Sequence, residues 1–401
     1  MRILLITDNH TPTGGAERYF FELKEKLKTL PDVTVYSIGF APKASEGDDF
    51  HVLPSATSKV VKFLFRLFTH PLVYFKLHKL ITHFQPDVIH LHNVKQFPFS
   101  VLRAIRGYPL VHTMHDFSFI CPTAQNIHRD LTPCPTGIRR ACFWQHQIKY
   151  PRFIYLFMAY AFFKLRRLLK QTAHAIIAPS PLLAEYLTRN HFHHVTYISP
   201  FHTKPSSFSF NTIKPYHFLF AGHLGKHKGV SLLLNEFALA CQHNNKLVLN
   251  IAGTGPEKKP MQQQVRALGI INNVNFLDWQ DNLSAHYEAC NALIFPSLGL
   301  ESFGLVMTEA MSHARPIIAI NRGTCAWLVK DQENGLLFDP LLAGDCASKI
   351  LALAENTDLV KRLGTQGRAQ LHTLMNNEAA LQQILQVYQT VIDNAMDETE
   401  R

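Results

Sequence analysis

Residues 292–320 read ALIFPSLGLESFGLVMTEAMSHARPIIAI. The uncharged run Ala292–Phe295 has the length and composition of a strand buried on both faces, and 296–300 has the composition of a loop. Helical periodicity follows over 303–313, and a second buried strand is expected at 316–320. A strand–loop–helix–strand unit of this size implies a parallel sheet covered by helices. The helix opens on Ser302, Phe303, Gly304 and Leu305, where backbone N–H groups have no partner inside the helix. Orphan amides and the positive end of the helix dipole make such a terminus an anion site. Glu301 stands in the loop beside it, and Glu309 lies about a turn and a half along the helix. A carboxylate near a phosphate-binding helix end suits a sugar diol, since each oxygen accepts a hydroxyl hydrogen bond. The alternative is a loop glutamate and a solvated helix glutamate.

Working outward, the same alternation fills the chain. Strands are expected at 3–7, 33–37, 88–91, 110–113 and 175–178, with a helix from about Gly15 whose Tyr19, Phe20, Leu23 and Leu27 share one face. The Pro/Ser/Thr-rich stretch 200–215 interrupts this rhythm and reads as a linker. Alternation resumes with strands at 218–221, 247–251, 274–277, 292–295 and 316–320, and the last ninety residues or so read as helical. The expected domains are 1–200, a linker at 201–215, a second domain over 216–380, and a terminal helix over 381–401 that can return to the first domain. Both domains read as doubly wound α/β sheets, with a cleft expected between them. Ligands of such sheets bind at the carboxyl ends of the strands.

The remaining candidate residues all fall at expected strand ends. Gly14 and Gly15 follow the first strand and open the first helix; a plain strand–helix turn is the alternative. Their spacing does not fit G-x-G-x-x-G, which removes the main support for a nicotinamide cofactor. FAGHLGKHKG (220–229) places His223 after a strand and Lys228 before a helix over 230–243, where a lysine can neutralise a diphosphate. Gly253 and Gly255, in IAGTGPE, permit close approach of a flat base or ribose. His115 ends a strand in TMHDF, where Asp116 can orient its ring or cap the next segment. Cys121, Cys134 and Cys142 lie in one irregular stretch with His128 and His146. Their spacing lacks a C-x2-C knuckle, so reduced thiols packed in a loop are favoured over zinc.

With 401 residues, 47% apolar and 17% charged, the chain belongs with two-domain globular proteins and not with disordered ones. No uncharged apolar run reaches the roughly 18 residues of a transmembrane helix. MRILLIT leads straight into a strand pattern, so no signal peptide is expected. Seven cysteines fit a reducing cytoplasm. Residues 1–200 hold 24 Lys+Arg against 12 Asp+Glu, while 201–401 hold 16 against 18, so all of the net +10 comes from the first half. No acid occurs over 51–86 or 131–184, where Lys59, Lys62, Arg66, Lys76, Lys79, Arg166, Arg167 and Lys170 alternate with Phe and Leu. Basic amphipathic helices of this kind suit an anionic lipid surface; core helices with a solvated basic edge are the alternative. No nucleic-acid-binding motif is present, so nucleic acid is not an expected partner.

Five segments in order, PTGGAER, PDVIHLHN, TMHDF, FAGHLGKHKG and the 292–320 stretch, make the chain resemble the retaining glycosyltransferases of family 4. The likeness covers almost the whole chain and implies the GT-B fold. It implies a nucleotide-sugar donor, and a glycan or lipid-linked glycan acceptor bound by the first domain in lipopolysaccharide, capsule or exopolysaccharide assembly. It sets Gly14 and Gly15 against the donor diphosphate, His115 beside the donor sugar, and the nucleotide base near Gly253 and Gly255. Glu301 would take the sugar hydroxyls and Glu309 the ribose, with Lys228 on the diphosphate. The family usually has arginine where this chain has His223, and histidine is only partly charged near neutrality. No D-x-D motif is present, so no metal or other cofactor is expected. The implied location is cytoplasmic, peripheral on the inner face of the cytoplasmic membrane. A non-catalytic sugar-nucleotide-binding protein on a degenerate GT-B scaffold is the alternative.

Overall fold

The structure is a computed structural model that describes all residues except 12–13, 42, 56–63, 66, 129, 133, 135–138, 140, 146–153, 203–209, 211–215, 400–401 and the side chains of 398–399. It divides into two compact units. The first comprises Met1–Ala124, Thr136–Phe201 and Asn376–Arg401; the second comprises Gln125–Pro135 and His202–Met375.

Eight strands of the first unit, β1 (Arg2–Ile6), β2 (Thr34–Ala41), β3 (Ser45–Gly47), β4 (Phe50–Pro54), β5 (Val88–Leu91), β6 (Leu110–Thr113), β7 (Ala175–Ala178) and β8 (Val195–Tyr197), form one sheet. Their order is β3-β4-β2-β1-β5-β6-β7-β8, and all neighbours are parallel except the antiparallel β3–β4 pair. β5, β6 and β7 are buried at every position, as strands covered on both faces must be. The Gly15–Lys28 helix packs Tyr19, Phe20, Leu23 and Leu27 into the core with Ile3, Leu5 and Val88. Ala380, Ile384, Tyr388 and Val391 of the Asn377–Thr399 helix, spaced for one helical face, enter the same core.

In the second unit β9 (His217–Ala221), β10 (Val248–Ala252), β11 (Val274–Asp278), β12 (Ala292–Phe295), β13 (Ile317–Ile320) and β14 (Gly335–Phe338) form a wholly parallel sheet. Its order is β11-β10-β9-β12-β13-β14. β14 interrupts the C-terminal region that reads as helical from sequence. Each sheet changes direction of growth once: β1 lies between β2 and β5, and β9 between β10 and β12. Loops leaving the strand ends on either side of such a switch point diverge and leave a crevice.

Candidate functional site

The crevice of the second unit lies at the ends of β9 and β12. After β9 the chain makes a tight turn at Lys226–Lys228 and enters the Val230–His243 helix through Gly229, held in the left-handed region at φ 69°. A Cβ on Gly229 would stand 1.9 Å from the Pro296 carbonyl, so only glycine lets the two loops meet. The amides of Leu298 and Gly299 close the junction by donating to the His227 carbonyl at 2.8 and 3.0 Å.

This packing brings Lys228 and Glu301 together. Lys228 Nζ donates to Glu301 Oε1 at 2.7 Å, with the two side chains 20% and 14% exposed. Ser297 Oγ donates to the same oxygen. Burial alone would raise the Glu301 pKa, but the Lys228 ammonium and the Ser297 hydroxyl outweigh it and hold the carboxyl below its ordinary value. The residues picked from sequence for diphosphate and for sugar hydroxyls thus form one ion pair. The seventy-odd residues between them hide this from sequence.

The next helix runs Leu305–Ser312, two residues later at its start than the periodicity suggests. Gly304 adopts φ 87°, ψ 59°, which is not helical, and Phe303 is buried in the core. Ser302, Phe303 and Gly304 therefore form the approach to the helix, and its first orphan amides begin at Leu305. Glu309, one turn further, accepts a hydrogen bond from Tyr287 Oη at 2.8 Å. Tyr287 is fixed in turn by fully buried Arg315, whose Nε donates to the Tyr287 carbonyl at 2.8 Å.

His223 is exposed in the loop after β9. Gly253 and Gly255 have a reason of their own within the protein. A Cβ on Gly253 would lie 1.9 Å from the Gly222 carbonyl, and one on Gly255 would lie 2.3 Å from that of Leu224. Their bareness joins the β9 and β10 loops backbone to backbone.

In the first unit the corresponding strand ends carry histidines. His92 Nδ1 and His115 Nε2 are 2.9 Å apart, so one ring donates to the other. His90 is bonded to Tyr388 Oη at 2.6 Å and to Thr113 Oγ1 at 2.7 Å, and the rings of His90 and His92 stack at 4.3 Å. Burial lowers the pKa of His115 to about 3 and that of His112 to about 4, and carries His90 and His92 well below the usual value. These rings are neutral at physiological pH. Asp116 does not orient His115; it pairs with Lys95 and accepts the Ser118 amide at 2.8 Å. Sequence reasoning missed His92 as the partner of His115, although the H-x-H pattern of 90–92 on a buried strand was visible. Gly14 is the extended residue before the Gly15–Lys28 helix, and a Cβ there would meet the Glu17 carboxylate at 2.7 Å.

Cys121, Cys134 and Cys142 are buried free thiols, and the described residues contain no cluster of three metal-ligating side chains. Of the basic residues, Lys59, Lys62 and Arg66 lie outside the described residues. Arg166 is a correction to the proposed basic face: it is buried, donating to the Phe119 carbonyl at 3.1 Å and to Asn190. Lys170 likewise donates to the Asn190 carbonyl at 2.8 Å.

The chain is similar to known proteins along most of its length. Residues 13–202 match the family described as Glycosyltransferase Family 4, and residues 204–370 match Glycosyl transferases group 1. The chain is 27% identical over 43% of its length to an uncharacterised glycosyltransferase of Haemophilus influenzae, the alignment spanning about half, 48%, of that protein. It is 21% identical over 98% of its length to the O-antigen chain mannosyltransferase C of Escherichia coli, covering all of that protein. Its fold superimposes on Anabaena HepE, solved with UDP and glucose, with TM-score 0.71, 19% identity, and coverage of 97% of this chain and 100% of that one. The chain thus carries, one after the other, a domain matching each of two glycosyltransferase family models, and its paired Rossmann-like sheets have the GT-B architecture.

Proposed function

We propose that the protein transfers a sugar from a nucleotide-sugar, with retention of anomeric configuration, to a glycan or lipid-linked glycan in cell-surface polysaccharide or lipopolysaccharide assembly. The observation that carries this reading is the Lys228–Glu301 pair at the β9/β12 switch point. Both bonds to the carboxylate reach Oε1, so Oε2 serves as an acceptor for a donor-sugar hydroxyl. The ammonium has two further protons for the diphosphate, and the amides from Leu305 onward add partial positive charge. When the anomeric C–O bond breaks, negative charge grows on the leaving diphosphate, and preplaced cations and amides stabilise it most at that moment. The acceptor oxygen bonds to the anomeric carbon from the face the diphosphate leaves, and its proton passes to the departing phosphate oxygen. Glu309, held by Tyr287, takes the ribose diol. His115, neutral and fixed by His92, offers a hydrogen bond to the sugar without competing for the phosphate. His223, Gly14, Gly15, Gly253 and Gly255 shape the donor loops. The O-antigen role of the Escherichia coli relative and the UDP bound by HepE support the substrate classes.

The acceptor reading extends to a peripheral position on an anionic membrane. No helix among the described residues is long and apolar enough to cross a bilayer. The Pro71–Phe84 helix leaves Leu72 and Phe75 exposed beside Lys76 and Lys79, and the Tyr155–Thr172 helix leaves Leu156, Phe157 and Tyr160 exposed beside Lys164 and Arg167. Rings and alkyl chains next to cations are what a headgroup boundary accepts.

The test is calorimetric titration with UDP, GDP, ADP and dTDP, followed by hydrolysis and transfer assays on the matching nucleotide-sugars. One nucleoside diphosphate should bind clearly better than the rest, and its sugar conjugates should be slowly hydrolysed without acceptor. Binding without turnover on any conjugate, with or without acceptor glycans, would favour the non-catalytic alternative.

A further inference from the structure

We propose that an apolar cavity of about 300 Å³ in the first unit receives one hydrocarbon chain of a lipid acceptor. This rests on the lipid-linked acceptor reading and names the part of the acceptor the protein recognises. The cavity opens among the loops that leave β5 and β6, where a parallel sheet presents its ligands. Val94 lines one side, and Met158 and Ala161 of the Tyr155–Thr172 helix line the other.

Its walls select the chemistry. Three polar side chains, Lys95, Ser118 and Thr123, stand among ten apolar ones. The Lys95 ammonium is already engaged by Asp116, which also holds the Ser118 amide. A sugar ring placed here would leave several hydroxyls unpaired, a cost apolar walls cannot offset. A hydrocarbon gains by burial against the same walls. The volume lies at the lower end of the roughly 300–1,000 Å³ typical of small-ligand sites, which suits a chain segment and not a whole lipid.

The surroundings point to the same occupant. The Tyr155–Thr172 helix is apolar on two flanks, one toward the cavity and one carrying Leu156, Phe157 and Tyr160, which are 73%, 66% and 66% exposed. A helix apolar on more than one side calls for an apolar environment beyond its own core. Exposed Lys164 and Arg167 on this helix complement an anionic headgroup.

The intact protein is titrated with n-decyl phosphate and n-decyl maltoside, each below its micelle concentration, and with inorganic phosphate. Both decyl compounds should bind with one-to-one stoichiometry and compete with each other, and phosphate should displace neither. Ala161→Phe fills the space and should weaken both at least tenfold. Met158→Gln keeps the volume but makes the wall polar, and should weaken both by a smaller factor. Both variants should retain nucleoside diphosphate binding and co-sedimentation with anionic vesicles. Absence of decyl binding, or binding untouched by both substitutions in folded protein, would overturn the proposal. Loss of vesicle binding in parallel with decyl binding would also overturn it, since these residues would then serve the bilayer itself. Decyl binding that persists while no nucleotide binds would uphold the chain site and defeat the transferase reading.

Discussion

The two units build the same kind of switch point and equip it in opposite ways. At β9/β12 a largely buried lysine and carboxylate form an ion pair beside a helix terminus. At β5 and β6 four histidines are packed so that burial removes their charges. The first arrangement suits a ligand that carries phosphate, the second one presented by hydroxyls and hydrocarbon. The largest expected effect follows from the histidines. Their folded pKa values lie below the unfolded value near 6.5, so the unfolded chain binds protons that the fold does not. The stability they contribute is complete above about pH 6.5 and is lost as the pH falls, toward about 4 for His112 and about 3 for His115, with His90 and His92 shifted in the same direction. Each differing proton is worth about 1.4 kcal/mol per pH unit, so His112 and His115 together should cost about 3–4 kcal/mol between pH 7 and pH 5, and His90 and His92 act in the same direction. In the second unit burial lowers the pKa of His313 in the same sense. Hydrogen exchange should show β5 and β6 losing protection at pH 5 before β9 and β12. Equal loss in both units would break the contrast.

Removing the charge of the second unit should act on chemistry. Lys228→Ala should lower turnover on the order of a hundredfold, the scale for a group that stabilises charge in the transition state. It also leaves Glu301 without its cation, so the Glu301 carboxyl should titrate higher than in the parent protein. Glu301→Gln separates the two roles, since it keeps a hydrogen-bond acceptor and removes the ion pair. A Lys228→Ala enzyme with normal turnover would remove the lysine from the diphosphate site.

What sequence could show follows the same divide. The buried strands Ala175–Ala178 and Ala292–Phe295 were legible because a strand covered on both faces reads as a continuous apolar run, and Val88–Leu91 and Leu110–Thr113 because only His90, His112 and Thr113 interrupt theirs. Short edge strands were not: β3 contains Glu46, and β8 is a half-exposed Val-Thr-Tyr. The 301–309 segment was legible because glutamates, glycine and helix start lie within ten residues. Its true helix start depends on one left-handed glycine, a backbone fact with no periodicity. The Lys228–Glu301 bond and the His92–His115 bond join separate strand ends, so only the topology reveals them. Arg166 shows the converse error, because a charge on an amphipathic helix looks solvated until its carbonyl partners are known.

The exposed face of the first unit gives an effect of intermediate size. Lys76 and Lys79 are exposed beside Phe75, and each basic residue near an anionic leaflet contributes about 1 kcal/mol. Replacing both with glutamine should weaken co-sedimentation with anionic vesicles by roughly thirtyfold at low salt, and by less as salt screens the contacts. Nucleotide affinity should stay unchanged, which keeps the two units functionally separable. Equal sedimentation with neutral vesicles would make this surface an ordinary solvated edge.

The smallest effects probe how finely the donor side is held. Glu309 supplies a charged acceptor for the ribose diol, a contact worth roughly 1.5–3 kcal/mol. Glu309→Ala should therefore cost about tenfold in nucleoside diphosphate affinity. Tyr287 lies outside this contact but donates to Glu309 Oε2 at 2.8 Å, and its ring stacks on His313 with centroids 5.5 Å apart. Tyr287→Phe keeps the stacked ring and removes only the hydroxyl, so Glu309 loses a neutral hydrogen bond of roughly 0.5–1.5 kcal/mol and some of its orientation. The carboxylate itself remains, and affinity should fall by only about threefold. Because the two residues act through one oxygen pair, Tyr287→Phe added to Glu309→Ala should produce no further loss. Calorimetry on the two single variants and the double variant measures this directly. Additive losses would place Tyr287 in its own contact with the nucleotide, and unchanged affinity in Glu309→Ala would take the carboxylate out of the ribose site altogether.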